Sequence, residues 1–190
     1  MVDIFNTANK YKTVYADPPW WEVGGSRGAN QHYGLMKTKD IIALPIKKLA
    51  DPTGCHLYLW VTNNFLKDGL SVMEAWGFRY ITTITWMKTG NFGLGQYYRG
   101  MTEHCLFGSM GKLPYKIINN KRVQGVTSIT APRREHSRKP NEMRSMIEFV
   151  SYAQRIELFA REKFEGWDCW GNETPILEPV QMDFLIRSDV

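Results

Sequence analysis

Cysteine is scarce in this chain: Cys55, Cys105 and Cys169 are odd in number and scattered, and no Cys-x-x-Cys occurs. That argues against a disulfide framework and a zinc site, and it suits reduced cytosol, so a cytoplasmic protein is expected. Cys55-His56 and His104-Cys105 set potential metal ligands side by side. Neighbours on a strand point to opposite faces, so a shared ion is disfavoured and no metal is expected. Long apolar runs are missing too. Nothing approaches the ~20 residues of a membrane span, and the opening Met1-Val2-Asp3 lacks a basic region followed by an apolar one, so neither a membrane protein nor a visible export signal is expected. Gly93-Leu94-Gly95 has no third glycine and no strand-to-helix setting, which removes a nucleotide loop. No internal repeat or low-complexity tract is visible.

The apolar content is 43% over 190 residues, enough for one sizeable core and short for two, so residues 1–190 read as a single domain. A formal charge of +5 and a pI near 9.1 are compatible with a polyanionic partner. Arg133, Arg134, Arg138 and Lys139 fall close together, with Lys112, Lys116, Lys121 and Arg122 just upstream. By charge alone such runs are equally a solvated surface.

Short β-rich runs alternate with helical ones. Residues 13–16, 56–61, 79–87, 103–108, 155–159 and 168–170 read as strands, and 65–76 and 141–150 as helices. The second helix carries Met143, Met146, Ile147 and Val150 at i, i+3, i+4 and i+7, behind start signals at Pro140 and Asn141. Such alternation predicts an α/β fold, a mostly parallel sheet covered by helices, with ligands at the carboxyl ends of the strands. Residues 22–34, 90–100 and 113–124 read as loops, and long loops in a compact domain are usually functional or disordered.

The stretch "VYADPPWWEV" (14–23) asks for a chemical explanation. Two adjacent prolines arise at a given place roughly once in four hundred at ~5% usage, and a strand that merely stops would need neither Asp17 nor Trp20 beside them. If the strand ends at Ala16, Asp17 emerges at the ligand-binding edge. Its carboxylate only accepts hydrogen bonds, and Pro18 and Pro19 offer carbonyls with no backbone N–H. Such a cradle suits an –NH2 group. An exocyclic base amine is a poor nucleophile because its lone pair is conjugated into the ring, and acceptors gripping both hydrogens favour the pyramidal form that attacks. Trp20 is expected to add a flat face on which a base stacks, typically for ~1–3 kcal/mol. An enzyme working on a base amine within a duplex must first flip the base into such a pocket.

Asp17-Pro18-Pro19-Trp20 resembles the Asp-Pro-Pro-Trp signature of the adenine-N6 methyltransferases, which include the catalytic subunit of the mRNA m6A writer and many bacterial and phage enzymes. The likeness continues, in order and spacing, through "HYGLMKTKDIIALP" (32–45), "LYLWVTNNFLKDGLSVMEAWGFRYITTITWMKTG" (57–90), "RGMTEHCLFG" (99–108), "APRREHSRKPNEM" (131–143) and "RIELFAREKFEGWDCWGNE" (155–173). It implies S-adenosylmethionine as methyl donor and a Rossmann-like fold with circularly permuted motifs, the catalytic one first. By position, it gives Lys139 the cofactor's carboxylate, with the following helix's amino terminus adding a favourable dipole. Phe159 and Arg161 are implied to contact the nucleoside, and Asn172 and Glu173 its ribose or base. The mRNA enzyme has an amide where Glu173 stands, a difference compatible with a ribose contact. Taken singly, Lys139 could be a phosphate clamp, Phe159 core, Arg161 an ion pair and Asn172 a turn residue; their order as one constellation is what favours the site.

One departure is an acid ahead of the catalytic strand, used by the mRNA enzyme for the cofactor. Asp3 is the only nearby acid before Asp17, so the cofactor's amino group is expected to fall to Asp17 and backbone. No separate recognition domain or zinc-finger spacing is visible, so substrate choice falls to the loops or to another subunit, and a homodimer or partner chain is possible. Arg27, His32 and Tyr33 in the first loop, and Lys116, Lys121 and Arg122 in the third, are candidate nucleic-acid contacts, both loops being expected to border the mouth beside Asp17. DNA is favoured over RNA because the compact form looks like bacterial and phage members. The alternatives are a catalytically silent nucleic-acid-binding subunit and a cytosine exocyclic-amine methyltransferase. The first would lose the acid or the aromatic, and the second typically carries Ser and Tyr in their places.

Overall fold

The computed structural model describes residues 1–21, 34–113, 115–134 and 138–171. Asn30, Gln31 and the site candidates Arg27, His32, Tyr33, Asn172 and Glu173 lie outside the described residues.

In chain order the elements are β1 (Thr13–Ala16), α1 (Thr38–Ile42), α2 (Ile46–Leu49), β2 (Gly54–Val61), α3 (Leu66–Ala75), β3 (Arg79–Thr89) and β4 (Thr102–Gly111). β5 (Ile117–Ile118), β6 (Lys121–Arg122), β7 (Ser128–Pro132), α4 (Asn141–Val150), β8 (Arg155–Leu158) and β9 (Trp167–Trp170) follow. β1 and α4 coincide with the sequence reading, and β2, β3 and β4 extend beyond it. α1, α2 and β7 were not foreseen. Helices of five and four residues are too short to display a 3.6-residue period, and β7 carries only two inward residues, Ile129 and Ala131. The stretch 113–124, read as a loop, holds the β5–β6 hairpin. Asn119 and Asn120 both take positive φ there, 51° and 59°, as a tight turn matched to strand twist requires.

The main sheet has the order β7-β3-β4-β2-β1-β8-β9. β1 pairs in parallel with β2 and β8, β8 with β9, and β3 with β7, while β4 runs antiparallel between β2 and β3. The sheet is therefore mostly parallel and α/β, with one reversed strand. All four residues of β1 are buried, as a central strand covered on both faces demands.

Side chains alternate between the faces. Val14, Ala16, Leu57 and Leu59 join Ile41, Ile46, Leu49, Val72 and Met73 of α1, α2 and α3 in one cluster. Tyr15, Tyr58, Trp60 and Trp86 join Met143, Met146 and Ile147 of α4 in the other. With both faces covered, the strand ends are left for ligands. The carboxyl ends of β1, β2, β3, β7, β8 and β9 share one edge, together with the amino end of β4. Asp17, the first residue past β1, stands on this edge.

Candidate active site

Asp17 meets Lys139, the last residue of the basic run before α4. Lys139 Nζ lies 2.6 Å from Asp17 Oδ2 and 3.5 Å from Glu103 Oε2, and Glu103 is ion-paired in turn with Lys88. The Lys139 side chain is 13% exposed and that of Asp17 26%. Beneath it is an aromatic floor: the Trp60 ring lies 5.4 Å from Nζ and meets Trp86 edge-on at 6.2 Å. Trp60 Nε1 donates to the Tyr15 hydroxyl at 2.7 Å, and Trp86 Nε1 to the Ala131 carbonyl at 3.0 Å, which fixes both rings. Burial pulls the Lys139 ammonium down, but Asp17 and Glu103 outweigh it and hold its pKa above the ordinary lysine value.

The sequence reading assigned no role to Glu103. It sits on β4, and its signal was an acid in a strand otherwise suited to burial; only the β3–β4 pairing brings it to Lys88. Asp3, the acid considered for the cofactor's amino group, accepts from Phe5 N at 2.9 Å and Asn6 Nδ2 at 2.6 Å within the amino-terminal turn.

The prolines behave differently from bare acceptors. Pro18 O takes the Trp20 N–H at 3.0 Å and Pro19 O the Met36 N–H at 2.8 Å, so each carbonyl has already used one of its two lone pairs. These bonds hold the carbonyls in fixed directions. The Trp20 indole is also less open than expected: it is 9% exposed, stacked on Phe65 at 5.3 Å, and its Nε1 donates to Trp60 O at 3.0 Å. One face is occupied. A large apolar ring beside a core gains more from burial than from waiting in water for a ligand. Trp20 thus pins the Pro-Pro turn to the end of β2, and the open stacking face read from the sequence is corrected to a largely buried wedge.

Beside Asp17 a cleft with a cavity volume of about 60 Å³ is lined by Tyr15, Arg134, Arg138, Lys139, Asn141, Glu157, Phe159 and Arg161. Phe159 and Arg161, two sequence candidates, therefore share the cleft with Asp17 and Lys139. Phe159 has a φ of 62°, an uncommon conformation for an aromatic residue, and its ring meets Trp170 edge-on at 5.3 Å. Asn141, read as a start signal, makes no cap bond; its Oδ1 accepts from Arg134 Nη1 at 2.5 Å, and Pro140 is the capping residue. The amino terminus of α4 thus opens among cations, where an anionic group is favoured twice over. Glu157, on the cleft's other wall, pairs with Arg144 at 2.6 Å; burial pushes its carboxyl up, and Arg144 opposes that. A cleft with cations at a helix start, acids opposite them and an aromatic ring at its lip fits a zwitterionic amino acid joined to a nucleoside.

The third loop is not at this mouth. Because β4 is reversed, the chain leaves it at Gly111 on the opposite edge of the sheet. Lys116 Nζ donates to Glu148 O at 2.8 Å and Ser151 O at 3.2 Å, closing the carboxyl end of α4. A helix of ten residues is ~15 Å long, so this lies a helix length from Asn141. Burial, with Arg155 adding to it, pulls the Lys116 ammonium down against Glu148. Lys121 and Arg122 are exposed on β6, with the Arg122 guanidinium 3.1 Å from the Tyr115 ring centroid. The expectation that Lys116, Lys121 and Arg122 border the mouth is thus overturned by the direction of one strand. The loop that does arrive at Asp17's edge is 90–100, between β3 and β4. Among the described residues, no group of three or more His, Cys, Asp or Glu side chains is placed to hold a metal, and no helix is long and apolar enough to cross a membrane.

The family model described as MT-A70 matches residues 11–173. The chain is 30% identical to the type II methyltransferase M.MunI of Mycoplasma sp., over 87% of this chain and 78% of that protein. It is 31% identical to an N(6)-adenosine-methyltransferase MT-A70-like protein of Arabidopsis thaliana, over 90% of this chain and 24% of the relative. With the human N(6)-adenosine-methyltransferase catalytic subunit METTL3 the identity is 30%, over 94% of this chain and 30% of the relative. The chain thus spans most of M.MunI and under a third of these two eukaryotic relatives. On this match, the chain belongs to the MT-A70 family, the adenine-N6 methyltransferases that draw their methyl group from S-adenosylmethionine.

Proposed function

We propose that this chain methylates the N6 amine of adenine in DNA, with Asp17 as its catalytic acceptor. The observation that carries the reading is the Asp17–Lys139–Glu103 network at the carboxyl edge of the sheet, beside a cleft of suitable chemistry. S-adenosylmethionine, when bound, supplies a methyl group made electrophilic by its positive sulfur. Everything else falls to the chain. Lys139 holds the Asp17 carboxylate in place through their ion pair, and its ammonium is the proposed partner of the cofactor's carboxylate. Phe159 and Arg161 flank the nucleoside, and Asn172 and Glu173 are the proposed partners of its ribose.

Asp17 and the remaining lone pairs of the Pro18 and Pro19 carbonyls grip the adenine amine. They draw its hydrogens out of the ring plane and localise the nitrogen lone pair for attack. A nitrogen that gains a methyl group must shed a proton, and the Asp17 carboxylate is the base placed to accept it. Trp20, largely buried and stacked on Phe65, supports the Pro-Pro turn that presents these carbonyls. DNA is preferred because the chain matches 78% of the length of M.MunI, whereas the relatives named for adenosine are several times longer than the region they share.

The test is Asp17→Ala, assayed by transfer of labelled methyl to DNA and RNA oligonucleotides of one sequence, with circular dichroism as the control for folding. Transfer should vanish while the fold persists, since Lys139 keeps Glu103 as partner. Retained transfer overturns the mechanism, and loss of fold together with activity makes Asp17 structural. A wild-type protein that prefers the RNA oligonucleotide overturns the DNA assignment alone.

A further inference from the structure

Large aromatic side chains seldom stand in solvent, yet the 90–100 loop exposes several of them at Asp17's edge. Tyr97 and Tyr98 are 92% and 91% exposed, and Phe92 and Leu94 are exposed beside them. The loop is nonetheless built. Gly93 N donates to Gly100 O at 3.0 Å and Gly100 N to Leu94 O at 3.2 Å, closing its neck. Arg99 turns back on the carbonyls of Gly93 and Phe92. A Cβ on Gly95 would come within 1.9 Å of Tyr98 O, and one on Gly93 within 2.6 Å of Gly100 O, so this crossing needs glycine at both places. The backbone satisfies itself inside the loop, and the rings are left outside.

The loop's roots lie in the catalytic network. Lys88 stands two residues before Gly90 and Glu103 three after Gly100, and these are the residues paired with each other and, through Glu103, with Lys139. Arg133 Nη2 donates to Gly100 O at 2.8 Å, tying the neck to the basic segment that leads to Lys139. The surroundings are cationic, which suits a phosphate backbone.

We propose that this loop is a base-stacking platform: Tyr97 and Tyr98 hold unstacked bases next to the target adenine while Asp17 works on its amine. The inference rests on the nucleic-acid reading above. A tyrosine offers a flat face to any base, so the platform contributes affinity without reading sequence, and the ordered neck means that little is lost in presenting it.

The experiment compares the full-length wild type with Tyr97→Ala/Tyr98→Ala, using a fluorescein-labelled single-stranded DNA oligonucleotide with one adenine. Both side chains are exposed, so folding is spared. The double variant should bind about tenfold or more weakly, from ~1–3 kcal/mol per stacked base. KM for DNA should rise with kcat at saturating DNA kept within about twofold, and affinity for S-adenosylhomocysteine should not move. The slope of affinity against salt should be unchanged, because no phosphate contact is removed, and Tyr97→Phe/Tyr98→Phe should restore binding. Unchanged DNA affinity overturns the proposal, as does a change in oligomeric mass at unchanged affinity, which makes the loop a protein interface. A wild type that binds neither DNA nor RNA overturns the nucleic-acid reading itself, and the platform with it.

Discussion

Replacing Lys139 with Met removes the charge that joins the two acids of the site. The Lys139 side chain is only 13% exposed, so its pairing with Asp17 and Glu103 is screened far less than a surface pair. Breaking a buried pair costs ~3–5 kcal/mol. Here Asp17 keeps partial contact with water and Glu103 keeps Lys88, so the loss should be about 2 kcal/mol, or about 4–8 °C in melting temperature for a chain of this size. The ammonium's pKa is raised above the ordinary 10.5, so its stabilisation is fully present at neutral pH and lost only as strongly alkaline solution removes the proton. Affinity for S-adenosylhomocysteine, read by calorimetry, should fall about 10- to 100-fold, the range for a hydrogen bond to a charged group. Lys139→Arg provides a folded comparison: it keeps the charge but not the compact ammonium, and should recover stability more fully than affinity. The reasoning fails if Lys139→Met leaves S-adenosylhomocysteine affinity within twofold while DNA affinity and its salt dependence drop. In that case Lys139 grips phosphate.

Trp20→Ala should destabilise the fold by about 3–5 kcal/mol, as removal of a buried Trp does, because it deletes the stack on Phe65 and the bond to Trp60 O. A chemical melt that moves by under 1 kcal/mol would return Trp20 to the role of an open stacking face. Lys116→Met should cost about 1 kcal/mol by uncapping α4, whereas Lys121→Gln/Arg122→Gln should leave DNA affinity and salt slope within twofold; a flattened slope would bring the far edge back into the DNA path. Burial pushes the His56 imidazole down to about 4 from 6.5, so the unfolded chain takes up that proton first, and stability present above 6.5 should fall by about 3 kcal/mol as pH drops to 4. Melting temperatures between about pH 7 and pH 4.5 should show a shallower decline for His56→Asn, and parallel curves would rule the imidazole out.

What was legible in the sequence is what local chemistry writes. β1 ends where its apolar run ends, so the sequence alone places Asp17 on a ligand-binding edge; α4 was legible because ten residues are enough to show a period. Burial of a particular ring was not. Trp20 has the same letter whether it faces a base or Phe65, and the difference lies in what folds over it from residues far along the chain. Glu103 was hidden for a related reason, since its partners Lys88 and Lys139 meet it only through strand pairing and a crossover helix.

Strand direction was the most consequential silence. The letters of β4 describe a buried strand equally well in either sense, because alternation and β-propensity are unchanged when a strand is reversed. A parallel β4 would have needed a crossover after β3, and its own carboxyl end would have delivered residues 113–124 to Asp17. The reversed β4 instead turns back directly from β3. It sends Lys116, Lys121 and Arg122 to the far edge and sets the exposed rings of residues 90–100 at the near one. The basic loop that charge counting favoured and the aromatic loop that it passed over thus exchange places, and aromatic stacking rather than added charge becomes the contact to look for beside Asp17.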